Sequence, residues 1–199
     1  MRWDRFFDDL EGQLASEWEA ERAALDTEAE RLRLSRVTLR ERLASLTDRE
    51  ADFTPPSFEV ADGTVLVGEV TGVGADWVAL EGGRSGGLIV PFASIASIGM
   101  PHADVLRSAR PAAGRSVLAE RMTLGFVLRD LVRRRVAVTM TLTQGRMLTG
   151  TIDRAGADSL DIALHEPGTA RRATAVIGHR IVPFHAVSWI RLDAGATLG

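Results

Sequence analysis

Four arginines lie close together in the second half of the chain, at the end of a predicted helix. Arg129 is followed one helical turn later by the run Arg133, Arg134 and Arg135. A guanidinium group can bind a phosphate bidentately and can stack on a nucleic-acid base. This run is therefore a candidate site for nucleic acid. A structural interpretation competes with it, because arginine at the C-terminal end of a helix also interacts favourably with the helix dipole.

Other kinds of chemistry have little support in the sequence. There is no cysteine, which excludes disulfides, thiolate metal sites and thiol catalysis. We find no nucleophile–base pair, metal cluster or phosphate-binding loop. We therefore expect a non-enzymatic protein that has no catalytic residue, metal ion, cofactor or small-molecule substrate.

Several single residues are expected to have structural roles. His102, His165 and His179 are predicted to be surface histidines in loops, because none has a partner at the spacing of metal ligands. Asp76 and Asp158 are predicted to form turns by bonding nearby backbone. Trp77 and Trp189 stand at strand positions, where packing is a more common role than stacking on a base.

Composition and length set further limits. The 199 residues suit two small domains or one larger domain, and the hydrophobic content of 45% is ordinary for a globular protein. No apolar run approaches the length needed to span a bilayer, so we expect no membrane partner. The opening residues MRWDRFFDDL carry acids where a secretory signal has its apolar core. We expect a cytoplasmic protein.

Charge is distributed unevenly along the chain. Residues 1–99 hold 10 Arg and 19 acidic residues, a net charge of −9, whereas residues 100–199 hold 14 Arg and 8 acidic residues, a net charge of +6. A nucleic-acid-binding face in the second half would produce this asymmetry. Halves that attract each other would produce it equally well, so the asymmetry alone does not choose between them.

The elements that would position the arginines belong to an internal repeat. The segment GTVLVGEVTGVGADWVAL begins at Gly63, and GRMLTGTIDRAGADSLDIAL begins at Gly145. Two further pairs of segments match in the same order: Val90-Pro91-Phe92 with Val182-Pro183-Phe184, and the helix-like stretches 37–46 and 122–132. The repeat predicts two units, each made of one helix and five short strands. Gly68 and Gly150 fall within the second strand of each unit, where glycine allows the sharp bend of a small barrel.

The predicted fold is mainly β with helices, in four parts. These are an acidic N-terminal helix (1–36), a first helix and barrel (37–99), a linker (100–115) and a second helix and barrel (116–192). The linker is inferred from two prolines and two glycines in 99–115. Ser116 is the predicted N-cap of a helix that extends to about residue 134.

The N-terminal region also carries an apolar seam. Its members recur at seven-residue steps: Trp18, Leu25, Leu32, Leu39 and Leu46. Arg22 and Arg36 occupy intervening core positions of the heptad, which weakens a two-stranded coiled coil. Two interpretations stay open, a helix packed on the barrels and an arm for self-association.

The second copy resembles the Sm-like (LSm/Hfq-like) family of small β-barrels. LVRRRVAVTMTLTQGRMLTGTID (131–153) is similar to the helix end and first two strands of the bacterial RNA chaperone Hfq, and FHAVS (184–188) is similar to its Lys-His-Ala-Ile-Ser. The resemblance implies two tandem, strongly bent five-stranded barrels of SH3-like shape. In the family such barrels pair edge to edge into rings, so self-association is expected.

The resemblance also implies a nucleic-acid site, composed of Arg129, Arg133, Arg134, Arg135 and His185. His185 stands where the family has the histidine of its uridine pocket. The neighbouring lysine and tyrosine positions are occupied by Phe184 and Pro183, and the first copy has Ala93 in place of the histidine. The pocket is thus partly lost in the second copy and largely lost in the first.

Two functions follow as hypotheses. The first is an RNA-binding or RNA-chaperone-like protein that uses the second barrel. The alternative is a protein-interaction or scaffold module with a degenerate Sm fold that no longer binds RNA. A DNA-reading regulator has less support, because no helix-turn-helix spacing is present.

Overall fold

The computed structural model describes residues 2–48, 53–82, 86–110, 117–168 and 172–192. Its contacts divide the chain into two compact units, Met1–Thr38 and Leu39–Gly199.

The first unit is a single helix, α1 (Arg2–Ser35). Alanine, glutamate, leucine and arginine predominate in it, and all four favour helix. The ion pair between Arg33 and Glu30, at 2.7 Å, lies three residues apart on its surface and supports the last turns. The side chains of the apolar seam within α1 are exposed, namely Trp18, Leu25 and Leu32. Of the helices described, none has the length and apolar character that a membrane span requires.

Among its described residues the second unit contains four short α-helices and eleven strands. The helices are α2 (Leu39–Ser45), α3 (His102–Ser108), α4 (Val117–Arg121) and α5 (Leu124–Arg134). The strands of the first repeat are β1 (Ser57–Val60), β2 (Val65–Val67), β3 (Glu69–Val73), β4 (Trp77–Glu81), β5 (Gly87–Pro91) and β6 (Ile95–Gly99). Those of the second repeat are β7 (Ala137–Leu142), β8 (Met147–Ala155), β9 (Ser159–Leu164), β10 (Gly178–Pro183) and β11 (Val187–Leu192).

The strands form two antiparallel sheets. One has the order β2–β1–β6, and the other has the order β10–β9–β8–β7–β11–β5–β4–β3. Helices with antiparallel sheets were predicted, and this is confirmed. The chain is nevertheless mixed rather than mainly β, because α1 alone contributes 34 residues. Across the described residues, strand pairing does not close either repeat into a barrel.

Both repeats arrange their strands in the same order: fifth, first, second, third, fourth. The second strand of the first repeat is split at Gly68 into β2 and β3, whereas its counterpart β8 is continuous through Gly150. A Cβ on Gly68 would lie 2.7 Å from the carbonyl oxygen of Glu81, and one on Gly150 would lie 2.0 Å from that of Ala163. Glycine is thus required at both positions because the third strand crosses too closely for any side chain.

One strand pair joins the two repeats into a single sheet. The fifth strand of the second repeat, β11, pairs antiparallel with the fourth strand of the first, β5, where Ile190 faces Ile89 and Arg191 faces Leu88. Each repeat has its own buried core. The first repeat nevertheless contributes three buried residues to the core of the second, Trp77, Ala79 and Ile89.

Two predicted segments differ from the structure. The stretch 100–115, expected as a linker, contains α3, which begins directly after Pro101. Proline is compatible with the first turn of a helix, so it does not mark a loop there. The helix expected over 116–134 is divided into α4 and α5, with Thr123 as the N-cap of α5. The predicted cap Ser116 lies outside the described residues.

Candidate nucleic-acid interface

The helix that carries the arginines, α5, is anchored at its start by two oxygen atoms from side chains. The carboxylate of Asp76 accepts a hydrogen bond from the backbone N–H of Leu124 at 2.7 Å. The hydroxyl of Thr123 accepts from the N–H of Phe126 at 3.4 Å. Both satisfy donors of the first turn, which have no partner within the helix. One face of α5 is buried, and its members recur at helical spacing: Leu124, Val127, Leu128 and Leu131.

The opposite face presents the arginines to solvent. Arg129, Arg133, Arg134 and Arg135 are all exposed. Arg135 follows the last helical residue in the left-handed conformation, with φ 53°, and its backbone N–H closes the helix on the carbonyls of Leu131 and Val132. Because a helix rises about 1.5 Å per residue, the four arginines span roughly 9 Å along the axis. That distance suits contact with neighbouring phosphates of one strand.

Part of this charge is balanced within the helix. Asp130 accepts from Arg133 at 2.5 Å and lies 3.6 Å from a guanidinium nitrogen of Arg134. The side chain of Arg133 remains 74% exposed. Exposed ion pairs of this kind contribute at most about 1 kcal/mol, so a phosphate can compete with the carboxylate. The four arginines and Asp130 carry a net charge of +3, from four positive groups and one negative group.

Arg129 links the helix to a neighbouring turn. Its guanidinium donates to the carbonyl of Gly156 at 3.3 Å. A Cβ on Gly125 would lie 3.4 Å from a guanidinium nitrogen of Arg129 and 3.2 Å from the ring of Phe184, so both side chains lie close to this glycine. Phe184 begins the 3₁₀ turn Phe184–Ala186, which contains His185. The structure therefore brings Arg129 close to the turn of His185, whereas Arg133 to Arg135 lie further along α5.

The turn itself is fixed by its backbone, and His185 projects from it. The N–H of Phe184 donates to the carbonyl of Asp158 at 2.7 Å. The ring of Phe184 packs against the core of the second repeat, whereas His185 is exposed. The ring of Phe184 is therefore partly used for packing.

The structure corrects two of the single-residue expectations. His165 was predicted to be a surface histidine, but it is 2% exposed and bonds Thr151 at 2.9 Å through Nε2. That prediction was wrong because the backbone N–H of His165 extends the pairing of β9 to Thr149, which carries the side chain inward. Asp76 was expected to bond nearby backbone, but its carboxylate caps a helix that is distant in sequence. In the described part of the chain no three metal-ligating side chains lie together.

Both tryptophans serve the contact between the repeats. Trp77 is buried and donates through its indole N–H to the carbonyl of Met122 at 2.9 Å. Trp189 donates to the carboxylate of Asp62 at 3.3 Å, and Ser188 donates to the same group at 3.2 Å. Both rings are thus held by the fold. Asp62 was missed by the sequence analysis, since its partners are on the other repeat and no local pattern marks it.

The ionisation of Asp62 reflects these partners. Burial opposes the charged form, but hydrogen bonds from Thr64, Trp189 and Ser188 outweigh it and hold the pKa of Asp62 below its ordinary value. The carboxylate is therefore charged at neutral pH and joins the turn of the first repeat to β11 of the second.

Known proteins add no further constraint on the site. No protein-family model matches this chain, and no curated protein matches it at a significant level. The assignment of function consequently depends on the geometry of the residues described above.

Proposed function

We propose that this chain binds RNA through the exposed arginines at the end of α5, with His185 contributing base preference. The observation that carries the proposal is the exposure of four guanidinium groups beside a single carboxylate on one helix end. Such a cluster fits the phosphates of a nucleic-acid strand, because arginine binds phosphate bidentately and stays charged at every relevant pH.

We also propose that both repeats are Sm-like barrels and that the protein is not an enzyme. Support comes from the strand order shared by both repeats and from the two glycines against which the third strand packs. The surface of the second repeat alone carries the arginine run, so the second repeat would provide the RNA-binding face.

Fluorescence anisotropy with uridine-rich and mixed-sequence RNAs, at several salt concentrations, tests the proposal. Replacing Arg133, Arg134 and Arg135 together with Ala should remove most of the affinity. It should also reduce the slope of log affinity against log salt by about 3, one for each lost phosphate contact. A matched control replaces three exposed arginines in or directly after α1, namely Arg22, Arg31 and Arg36, and changes the net charge by the same amount.

Two single variants refine the assignment. His185→Ala should reduce affinity less than the triple variant and should mainly reduce the preference for uridine. Asp130→Asn should strengthen binding, since it frees Arg133 and Arg134 from their carboxylate. Equal losses in the triple variant and its α1 control, or no binding by the unmodified chain, would contradict RNA binding at α5.

The second candidate function is a protein-interaction or scaffold module. It is favoured by the packing of Phe184 against the core, at the position where the resemblance implies an RNA-contacting lysine. Sequencing of nucleic acid that co-purifies with the chain separates the two functions. Recovery of RNA supports the first function, and preparations free of nucleic acid support the second.

A further inference from the structure

One aromatic side chain of the second repeat is exposed on the same helix as the arginines. Phe126 lies in the first turn of α5 and is 51% exposed. The opposite side of α5 already supplies the apolar face that packs into the core of the second repeat. The backbone of Phe126 is fixed by the Thr123 cap, which accepts its N–H. The ring is therefore presented to solvent from a rigid position and contributes little to holding the helix in place.

The helical spacing brings this ring into line with two of the arginines. Successive residues of a helix are rotated by about 100°, so the positions three and seven residues after Phe126 share its face. These positions hold Arg129 and Arg133, which lie about 4.5 Å and about 10.5 Å further along the helix axis. We call Phe126, Arg129 and Arg133 the aromatic–arginine face. All three side chains are exposed.

Arg129 has a defined orientation between this ring and the turn of His185. One guanidinium nitrogen donates to the carbonyl of Gly156 at 3.3 Å. A guanidinium group has five N–H donors, so this bond leaves donors for a ligand. On the other side of Arg129, the ring of Phe184 lies against the backbone of Gly125. The aromatic–arginine face thus continues without a gap in the chain of contacts to the turn that presents His185.

The first repeat provides an internal comparison for this face. The two helices are in register when Thr38-Leu39 is paired with Thr123-Leu124. The counterparts of the aromatic–arginine face then include neither an aromatic ring nor a positive charge, and they are, in order, Glu41, Ala44 and Asp48. The ring and both arginines are therefore present together in one repeat and absent together from the other, although the repeats share their strand order.

The arginine that contacts the neighbouring turn also differs between the repeats. In the first repeat the carbonyl of Gly74 accepts from Arg40 at 3.0 Å, and Arg40 pairs with the carboxylate of Glu120 at 3.3 Å. In the second repeat the equivalent carbonyl, of Gly156, accepts from Arg129, which comes one helical turn later than the counterpart of Arg40. The turn contact is kept in both repeats. The second repeat alone combines it with an exposed cation beside an exposed aromatic ring.

We propose that Phe126 is a stacking platform for an unpaired base of single-stranded RNA, whose phosphates bind Arg129 and Arg133. This inference rests on the proposed RNA binding at α5 and adds the structural class of the RNA. A protein ring stacks on a base that is unstacked from its neighbours, so the paired bases of a duplex cannot use Phe126. Every base has an aromatic face, so the platform should accept any base, and base preference remains with His185.

Fluorescence anisotropy with the full chain tests this platform on three probes of equal length. They are a mixed-sequence single-stranded RNA, the same RNA paired with its complement, and an abasic ribose-phosphate strand. Phe126→Ala should weaken binding of the single-stranded RNA roughly tenfold and leave binding of the other two probes unchanged. The slope of log affinity against log salt should not change, since stacking releases no counterions.

Two further substitutions separate stacking from a general apolar contact. Phe126→Trp keeps a flat ring and should retain the affinity for single-stranded RNA, whereas Phe126→Leu keeps only an apolar side chain and should lose it. The added tryptophan should be quenched by the single-stranded RNA and not by the abasic strand, relative to the unmodified chain. Leu106→Ala, at a helix position of the first repeat that is 55% exposed, is the matched control and should change nothing. Urea unfolding establishes that each variant is folded.

The outcomes distinguish this inference from the function on which it rests. Unchanged affinity of Phe126→Ala for single-stranded RNA, or an equal loss on the abasic strand, would overturn the platform. If the variant without Arg133, Arg134 and Arg135 still loses affinity in the same assay, RNA binding at α5 stands and the platform alone fails. Full affinity of Phe126→Leu would assign the ring to an apolar contact, such as one with a protein. An unmodified chain that binds none of the probes would contradict RNA binding itself.

Discussion

The two repeats share their backbone geometry and differ in the surfaces that they present. The backbone N–H of Phe92 donates to the carbonyl of Asp76 at 2.8 Å, and that of Phe184 donates to the carbonyl of Asp158 at 2.7 Å. The turn glycines Gly63 and Gly145 have φ values of 80° and 79°. The repeated residues are thus mainly those that fix turns and close approaches.

The helix ends illustrate the difference. Helix α2 ends at Ser45 and is followed by Leu46, Thr47 and Asp48, whereas α5 ends in three consecutive arginines. Asp62 of the first repeat bonds the second repeat, but its counterpart in the second turn is the uncharged Gln144. The repeats therefore share the residues of their turns but differ in charge, since the arginine run lies on the second repeat and the turn aspartate that bonds the other repeat lies on the first.

The largest expected effect tests whether the shared glycines are equally important. Gly150→Ala should destabilise the chain by about 3 kcal/mol, because its Cβ would lie 2.0 Å from the carbonyl oxygen of Ala163 and the strands must separate. Gly68→Ala should cost less, since the corresponding distance to Glu81 is 2.7 Å. Urea unfolding monitored by circular dichroism measures both.

Gly178 provides the control for this pair. It also lies in a strand, β10, but a Cβ there would meet no atom within 4 Å. Gly178→Ala should therefore leave stability nearly unchanged. Equal stability of the Gly150 and Gly178 variants would contradict the close approach of the third strand to the second.

Many of the strands and turns were predictable from the sequence, whereas the contacts between the two repeats were not. Alternating apolar residues and paired glycines predicted short strands in both repeats, because both signals are local. No local pattern indicates that Asp76 caps α5 or that Asp62 bonds β11, since these partners are distant along the chain. The arginines were predicted as a group. Their ion pairs with Asp130 were not predicted, because a carboxylate on a helix surface can pair with any of several neighbouring side chains.

A smaller effect distinguishes the two turn aspartates. Asp76→Ala should destabilise the chain by about 1 kcal/mol, because the start of α5 loses the acceptor of the Leu124 N–H. Asp158→Ala should change unfolding of the single chain little, since its carboxylate is exposed and accepts only from the adjacent Ser159 among the bonds described. Thermal unfolding compares the two variants, and equal losses would contradict a helix-capping role that Asp76 has and Asp158 lacks.

The smallest effect concerns the pH dependence of Asp62, the charged turn residue of the first repeat, whose counterpart in the second repeat is the uncharged Gln144. Asp62→Asn should reduce stability at pH 7 by at most about 1 kcal/mol, because the amide oxygen is a weaker acceptor for Thr64, Ser188 and Trp189. The folded-state pKa of Asp62 is lowered, so the folded chain binds fewer protons than the unfolded chain in this range. The stabilisation by Asp62 is therefore complete above the unfolded pKa of about 3.9 and is lost as pH falls through the lower folded pKa.

Urea midpoints of the unmodified chain and the Asp62→Asn variant should differ at pH 7 and converge as the pH falls below about 4. Gln144→Asn, in the equivalent turn, carries no titrating group and should show the same small difference at every pH. A gap for Asp62→Asn that stayed constant down to pH 3 would show that the carboxylate charge does not hold the two repeats together.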